Sequence, residues 1–280
     1  MLEPTALLRP SVVALAATAV MLAACQREET SIAPSPAPAA TATPVISVAP
    51  APTLDRAGLL QAMDQAASAY AGGRDANDAS LVGRRFLVRQ AFGCAAPGAS
   101  PAGTAPRDGL AGSTLGAGGR TLKLALAPGD WTASPPFADA VGAWEAAEGF
   151  WLSWPWLRGD GCPGVPDSRS AADETTVLPP RSPQTAGLAA VFEKEGSRLG
   201  RRKGRAYEFT IRGEGDLSPV SSPAGYRLVL EGRMAAFEDG RAIRCRAPGP
   251  EQRPACIGAV RLERVAFETA DGQVLSEWRG

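Results

Sequence analysis

The sequence predicts a strand-rich α+β fold: an N-terminal helix packed on a sheet, then an antiparallel sandwich or small barrel, behind a disordered N-terminal tether. Three observations carry this. Leu59, Leu60, Met63, Ala66, Ala67 and Tyr70 recur at helical spacing, and no comparable period returns in the C-terminal half. That half instead repeats short alternating segments, with Asp239-Gly240 and Asp271-Gly272 as hairpin-type turn signals. From Thr30 to Thr53 the chain is almost entirely Ala, Pro, Ser and Thr and cannot offset its ordering entropy by apolar burial.

The 280 residues include 31 Gly and 25 Pro, about a fifth of the chain, so turns and loops should be abundant. Formal net charge is zero, and it stays zero without residues 1–24, which hold only Glu3 and Arg9. A neutral chain has no general electrostatic reason to bind nucleic acid. There is no histidine, which excludes Ser-His-Asp and Cys-His catalysis and disfavours an ordinary zinc site. No motif calls for a metal or a cofactor.

Residues 12–22, Val-Val-Ala-Leu-Ala-Ala-Thr-Ala-Val-Met-Leu, form an apolar run too short to span a bilayer but of the length found in export signals. Leu22-Ala23-Ala24-Cys25 follows. This stretch resembles the lipobox of bacterial lipoproteins, with Leu at −3 and small residues at −2 and −1 before the cysteine. The resemblance covers about 25 residues and implies cleavage after Ala24 and acylation of Cys25, with the bilayer as a partner through that anchor. Gln26, where an Asp would signal inner-membrane retention, leans the address toward the periplasmic face of the outer membrane. Residues 25–53 then read as a tether. Pro34, Pro36, Pro38, Pro44, Pro50 and Pro52 bias it to an extended form that reaches roughly 70 Å.

Residues 54–280 are the part expected to fold, as one domain or as two lobes near 54–165 and 185–280. A helix is expected over about 54–71, with Thr53 as N-cap, Asp55 in the first turn and Gly72-Gly73 as the stop. Phe86–Phe92 and Thr121–Leu126 read as strands, with a loop over 95–119 between them. Phe137, Ala140, Val141, Trp144 and Ala147 are spaced as a short helix after Ser134-Pro135-Pro136, ended by Gly149. Glu145 and Glu148 on that helix offer a carboxylate pair for acid–base chemistry, although a solvated helix face is the plainer reading. Trp151, Trp154 and Trp156 form the densest aromatic cluster. They suit either a stacking platform for a glycan or the core of a domain otherwise built largely from Ala, and the core is the reading preferred.

Between Pro166 and Gln184 the chain is polar and Pro-rich, which suits a long loop or linker. Strands are expected at Ala186–Phe192, Tyr207–Ile211, Tyr226–Leu230, Met234–Glu238, Ala242–Arg246, Ala259–Phe267 and Val274–Trp278. Arg198, Arg201, Arg202, Lys203 and Arg205 form a basic run that suits a solvated hairpin tip better than a phosphate or glycan contact.

With Cys25 set aside, Cys94, Cys162, Cys245 and Cys256 remain, an even number in an oxidising compartment. Three connectivities are possible. Cys94–Cys162 with Cys245–Cys256 is the economical one, because each bridge then stays within one half of the chain. Two functions compete. The preferred one is a non-catalytic envelope-accessory protein that binds a protein or glycan partner. The other is a histidine-free hydrolase of envelope polysaccharide using paired carboxylates.

Overall fold

Strand β10 (Ala255–Thr269) is the axis of the fold and hydrogen-bonds to four other strands. The computed structural model describes residues 51–76, 78–94, 108–116, 118–134, 144–164, 184–193, 205–214 and 224–280. Cys25, the tether up to residue 50, the Pro-rich segment 166–183 and the basic residues 198–203 lie outside the described residues. Arg205, the last of that run, is described and exposed.

The chain runs through α1 (Arg56–Ala71), a 3₁₀ turn (Ala79–Leu81), β1 (Arg85–Phe92), β2 (Ala111–Leu115), β3 (Thr121–Leu126), β4 (Gly129–Asp130) and β5 (Trp144–Trp151). It continues through β6 (Ala186–Glu193), β7 (Tyr207–Arg212), β8 (Tyr226–Met234), β9 (Ile243–Arg246), β10 and β11 (Val274–Arg279). An eight-stranded sheet has the order β1-β8-β10-β6-β5-β4, with β9 and β11 also paired to β10. Strands from before and after the Pro-rich segment thus share this sheet, with β6, β8 and β10 between β1 and β5, and residues 49–280 form one compact unit. A second sheet has the order β2-β3-β7. Both sheets contribute to one apolar core with α1, and neither closes into a barrel.

Helix α1 forms where its apolar stripe predicts, and it buries Leu59, Leu60, Met63 and Ala66. Each of the three larger side chains contributes roughly 1.5–3 kcal/mol by leaving water. Its N-cap is Asp55, not Thr53: the Asp55 carboxylate accepts a hydrogen bond from Gly58 N at 2.8 Å. The helix begins no earlier because Leu54 is held extended beside β1, donating to Arg85 O at 2.9 Å and accepting from Leu87 N at 2.8 Å.

The large sheet is apolar on both faces near its centre. In β6, Leu188 and Ala190 face the main core, while Ala189 and Val191 join a second cluster with Trp131, Ala147, Phe237, Ile257 and Ala259. This two-sided burial explains why Ala186–Phe192 reads as a continuous apolar run rather than an alternating one.

Several expectations fail, each for a visible reason. Trp144 and Ala147 lie on strand β5, not on a helix, while Phe137, Ala140 and Val141 lie outside the described residues. Gly149 is not a helix stop. The Trp131 indole lies against it, and a Cβ there would come within 1.9 Å of the ring. The expected loop over 95–119 contains β2, an edge strand paired with β3, whose Ala-Gly-Ser-Thr-Leu sequence carries little strand propensity. Met234 ends β8, and Ala235–Glu238 is not a strand: Gly240 N donates to Phe237 O, and Asp239-Gly240 makes a tight turn within this connection. The sheet is not purely antiparallel, since β6 runs parallel to β10. Asp271-Gly272 does close the β10–β11 hairpin, with Gly272 at φ +95°.

Candidate functional site

The segment leaving β5 is the place where this fold commits buried polar groups to a surface feature. Leu152 is fully buried, and its amide donates to Ala186 O at 2.9 Å. Pro155 is buried, Ser153, Trp154 and Leu157 are half-buried, and Trp156 is 58% exposed. A chain reversal that places an indole in water needs its backbone polar groups satisfied from behind.

Two buried side chains do this. Gln90 on β1 shares its strand face with Phe86 and Val88, and it is 1% exposed. Its Nε2 donates to Trp151 O at 3.2 Å, and its Oε1 accepts from Ser153 N at 2.9 Å. Arg56, in the first turn of α1, is 2% exposed. Its Nε donates to Leu157 O at 3.1 Å, and its Nη2 donates to Trp154 O at 3.0 Å and to Ser153 O.

Arg56 is costly where it stands. A cation in the first turn opposes the positive end of the helix dipole. Burial pushes the guanidinium below its ordinary value; the Asp160 carboxylate raises it and neighbouring Arg158 lowers it further. Trp154 has φ +45°, the one positive value outside glycine among the described residues, a conformation that costs about 1–3 kcal/mol. Such strain persists only where the surroundings over-determine it. Here they include Leu157 N donating to Trp154 O at 2.8 Å, an ion pair from Arg158 to Asp64 on α1, and the Cys94–Cys162 disulfide just beyond.

Of the three tryptophans, Trp151 is half-buried and packs on Trp131 with ring centroids 4.6 Å apart, and its amide donates to Gly109 O at 2.8 Å. Trp154 is half-buried, with its carbonyl in the Arg56 clamp. Of the three, Trp156 alone stands out into solvent. The cluster is therefore neither a fully buried core nor a platform of three exposed rings. Glu145 and Glu148 lie on β5, so the solvated helix face is a misreading: Glu148 is 5% exposed and Glu145 is half-buried.

Both economical cysteine pairs are bonded, Cys94–Cys162 and Cys245–Cys256, each with S–S at 2.04 Å. The second joins directly facing positions of β9 and β10.

A concavity of about 580 Å³ runs between α1 and the segment after it, lined by Gln61, Asp64, Arg74, Asp75, Asp78 and Leu81 among others. Asp78 at its side holds the start of β9 in place, where its Oδ2 accepts from Ile243 N at 2.7 Å. Burial pushes this carboxyl above its ordinary value, and the backbone donors oppose that shift.

Arg56 and Gln90 do not stand out in the sequence as site residues, although a signal is present. Arg56 continues the apolar stripe of α1 backward from Leu59 and Leu60, and Gln90 continues the inward alternation of Phe86 and Val88. A polar residue on an apolar register points to a buried polar partner. Among the described residues no helix is long and apolar enough to cross a membrane. Comparison with family models, curated proteins and solved structures finds no match.

Proposed function

We propose that this protein is a lipid-anchored component of the bacterial envelope, held through acylated Cys25 at the periplasmic face of the outer membrane, that acts by binding. The contact surface is the Leu152–Arg158 loop with Trp156 at its tip. One observation carries this reading: a buried cation and a strained backbone are maintained to hold one exposed indole. An exposed Trp of no consequence would not call for a buried cation and a strained backbone behind it. The anchor part rests on Leu22-Ala23-Ala24-Cys25. The hydrolase reading relies on Glu145 and Glu148 sharing one face of a helix, and both lie on strand β5 instead.

A photo-crosslinking residue at position 156 in membranes of the native host tests the surface, with position 274 as control, because Val274 is also exposed at 46%. Crosslinks to an envelope component from 156 and not from 274 are expected. Equal yields from both positions, or none, would sink the reading. Cys25→Ser tests the anchor and should move the protein out of the membrane fraction.

A further inference from the structure

We infer that the Trp156 loop docks on the headgroup interface of the same bilayer that holds the acylated Cys25, giving the folded part a second, non-covalent membrane contact. This rests on the reading of the loop as a contact surface and of Cys25 as the anchor.

The chain enters the fold at the corner that carries the Trp156 loop. Pro52 O accepts from Arg84 Nη2 at 2.8 Å, Leu54 pairs with β1, and Arg56 grips the loop. The attachment point of the tether and the Trp156 loop are therefore locked together within a few residues. Any pull toward the anchor acts on the corner of the fold that carries Trp156.

The chemistry of the loop fits that neighbour. Trp156 is exposed and flanked by half-buried Trp154 and Leu157, with the charged Arg158 and Asp160 next along the chain. An indole beside apolar and charged groups is the composition enriched at membrane–water boundaries, where the ring sits at headgroup level and its N–H stays wet. A saccharide platform needs a broader exposed aromatic face, and Trp151 is committed to Trp131. A contact this small would be weak on its own. Tethering raises its effective concentration to on the order of millimolar, so a weak contact suffices to hold the domain down part of the time.

The test uses the full acylated chain reconstituted into phosphatidylethanolamine–phosphatidylglycerol vesicles, with and without bromine on the acyl chains. The chain has 6 tryptophans, and the other five serve as internal controls. Brominated lipid should quench part of the wild-type emission, and that quenching should be lost in Trp156→Phe. The variant changes an exposed ring and leaves the clamp intact. Absence of bromine quenching in the wild type, or its persistence in Trp156→Phe, overturns the inference. A crosslinker at 156 that captures a protein or glycan but no lipid also overturns it, while leaving the contact-surface reading in place. If neither lipid nor any other component is captured, both fall.

Discussion

Arg56 and Arg264 are both largely covered by protein, yet they are held by opposite kinds of partner. Arg264 lies in a ladder of charges across β1, β8, β10 and β11. It faces Glu277 at 2.9 Å, Glu231 at 3.7 Å and Glu268 at 3.9 Å. The ladder continues through Arg85 to Glu231 and Glu263, Arg233 to Glu263, and Arg89 to Glu268. Each of these four cations has a carboxylate beside it, so their charges are balanced from within the sheet. Arg56 gives its hydrogen bonds to three carbonyls of one loop. Its charge does not set a sheet register; it sets the path of a backbone. The contrast teaches that the ladder solvates a surface, while the clamp shapes one.

Three perturbations sharpen that contrast, in falling order of expected effect. Removing the covalent part of the clamp with Cys94→Ser and Cys162→Ser opens a link between residues 68 apart in sequence. The loop-entropy model puts the loss at about 4 kcal/mol, read from a lower denaturant midpoint with a steeper slope, because the unfolded chain without the bridge exposes more surface. A loss under about 1 kcal/mol would mean that the rest of the clamp holds the loop by itself.

Arg56→Met keeps the unbranched stem and removes the guanidinium, so Ser153 O and Leu157 O lose its hydrogen bonds while Trp154 O keeps the one from Leu157 N. The expected cost is about 3 kcal/mol, insensitive to salt because the site is screened from solvent. Proteolysis of the native protein should shift to the Trp154–Arg158 segment. An unchanged stability would show that water replaces the guanidinium and that the clamp is not what fixes the loop.

Arg233→Ala on the ladder should cost no more than about 0.5 kcal/mol, and roughly 1 M salt should erase even that. Arg233 and its partner Glu263 are both about half exposed, at 51% and 42%. A loss as large as that of Arg56→Met would break the comparison, since the ladder would then be structural.

Much of the frame is legible in the chain alone. The stripe of α1, the alternation of β3 and β7, and the Asp271-Gly272 hairpin follow from side-chain period and turn chemistry. The cysteine pairing follows from economy. Several of the expectations that fail share one cause: contacts distant in the chain decide the local outcome. Trp144 and Ala147 carry a helical spacing, but pairing with β6 makes them strand. Gly149 looks like a helix stop because nothing local reveals that Trp131 will lie on it. Leu54 moves the helix start by one bridge to Phe86. The site is half legible. The tryptophans are evident, but which one reaches solvent depends on Arg56, about a hundred positions upstream of the carbonyls it holds.

The position of β10 in the chain has a kinetic consequence. The strand that joins β6, β8, β9 and β11 is made after three of those four partners. Until residues 255–269 emerge, β6 and β8 each lack the neighbour between them, and their apolar edges stay unpaired. A topology so dominated by contacts distant in sequence folds slowly, and its unpaired intermediates are prone to aggregation. The large sheet is therefore assembled only after β10 has been made. A chain stopped short of β10 would be a substrate for chaperones and proteases rather than a smaller version of the same protein.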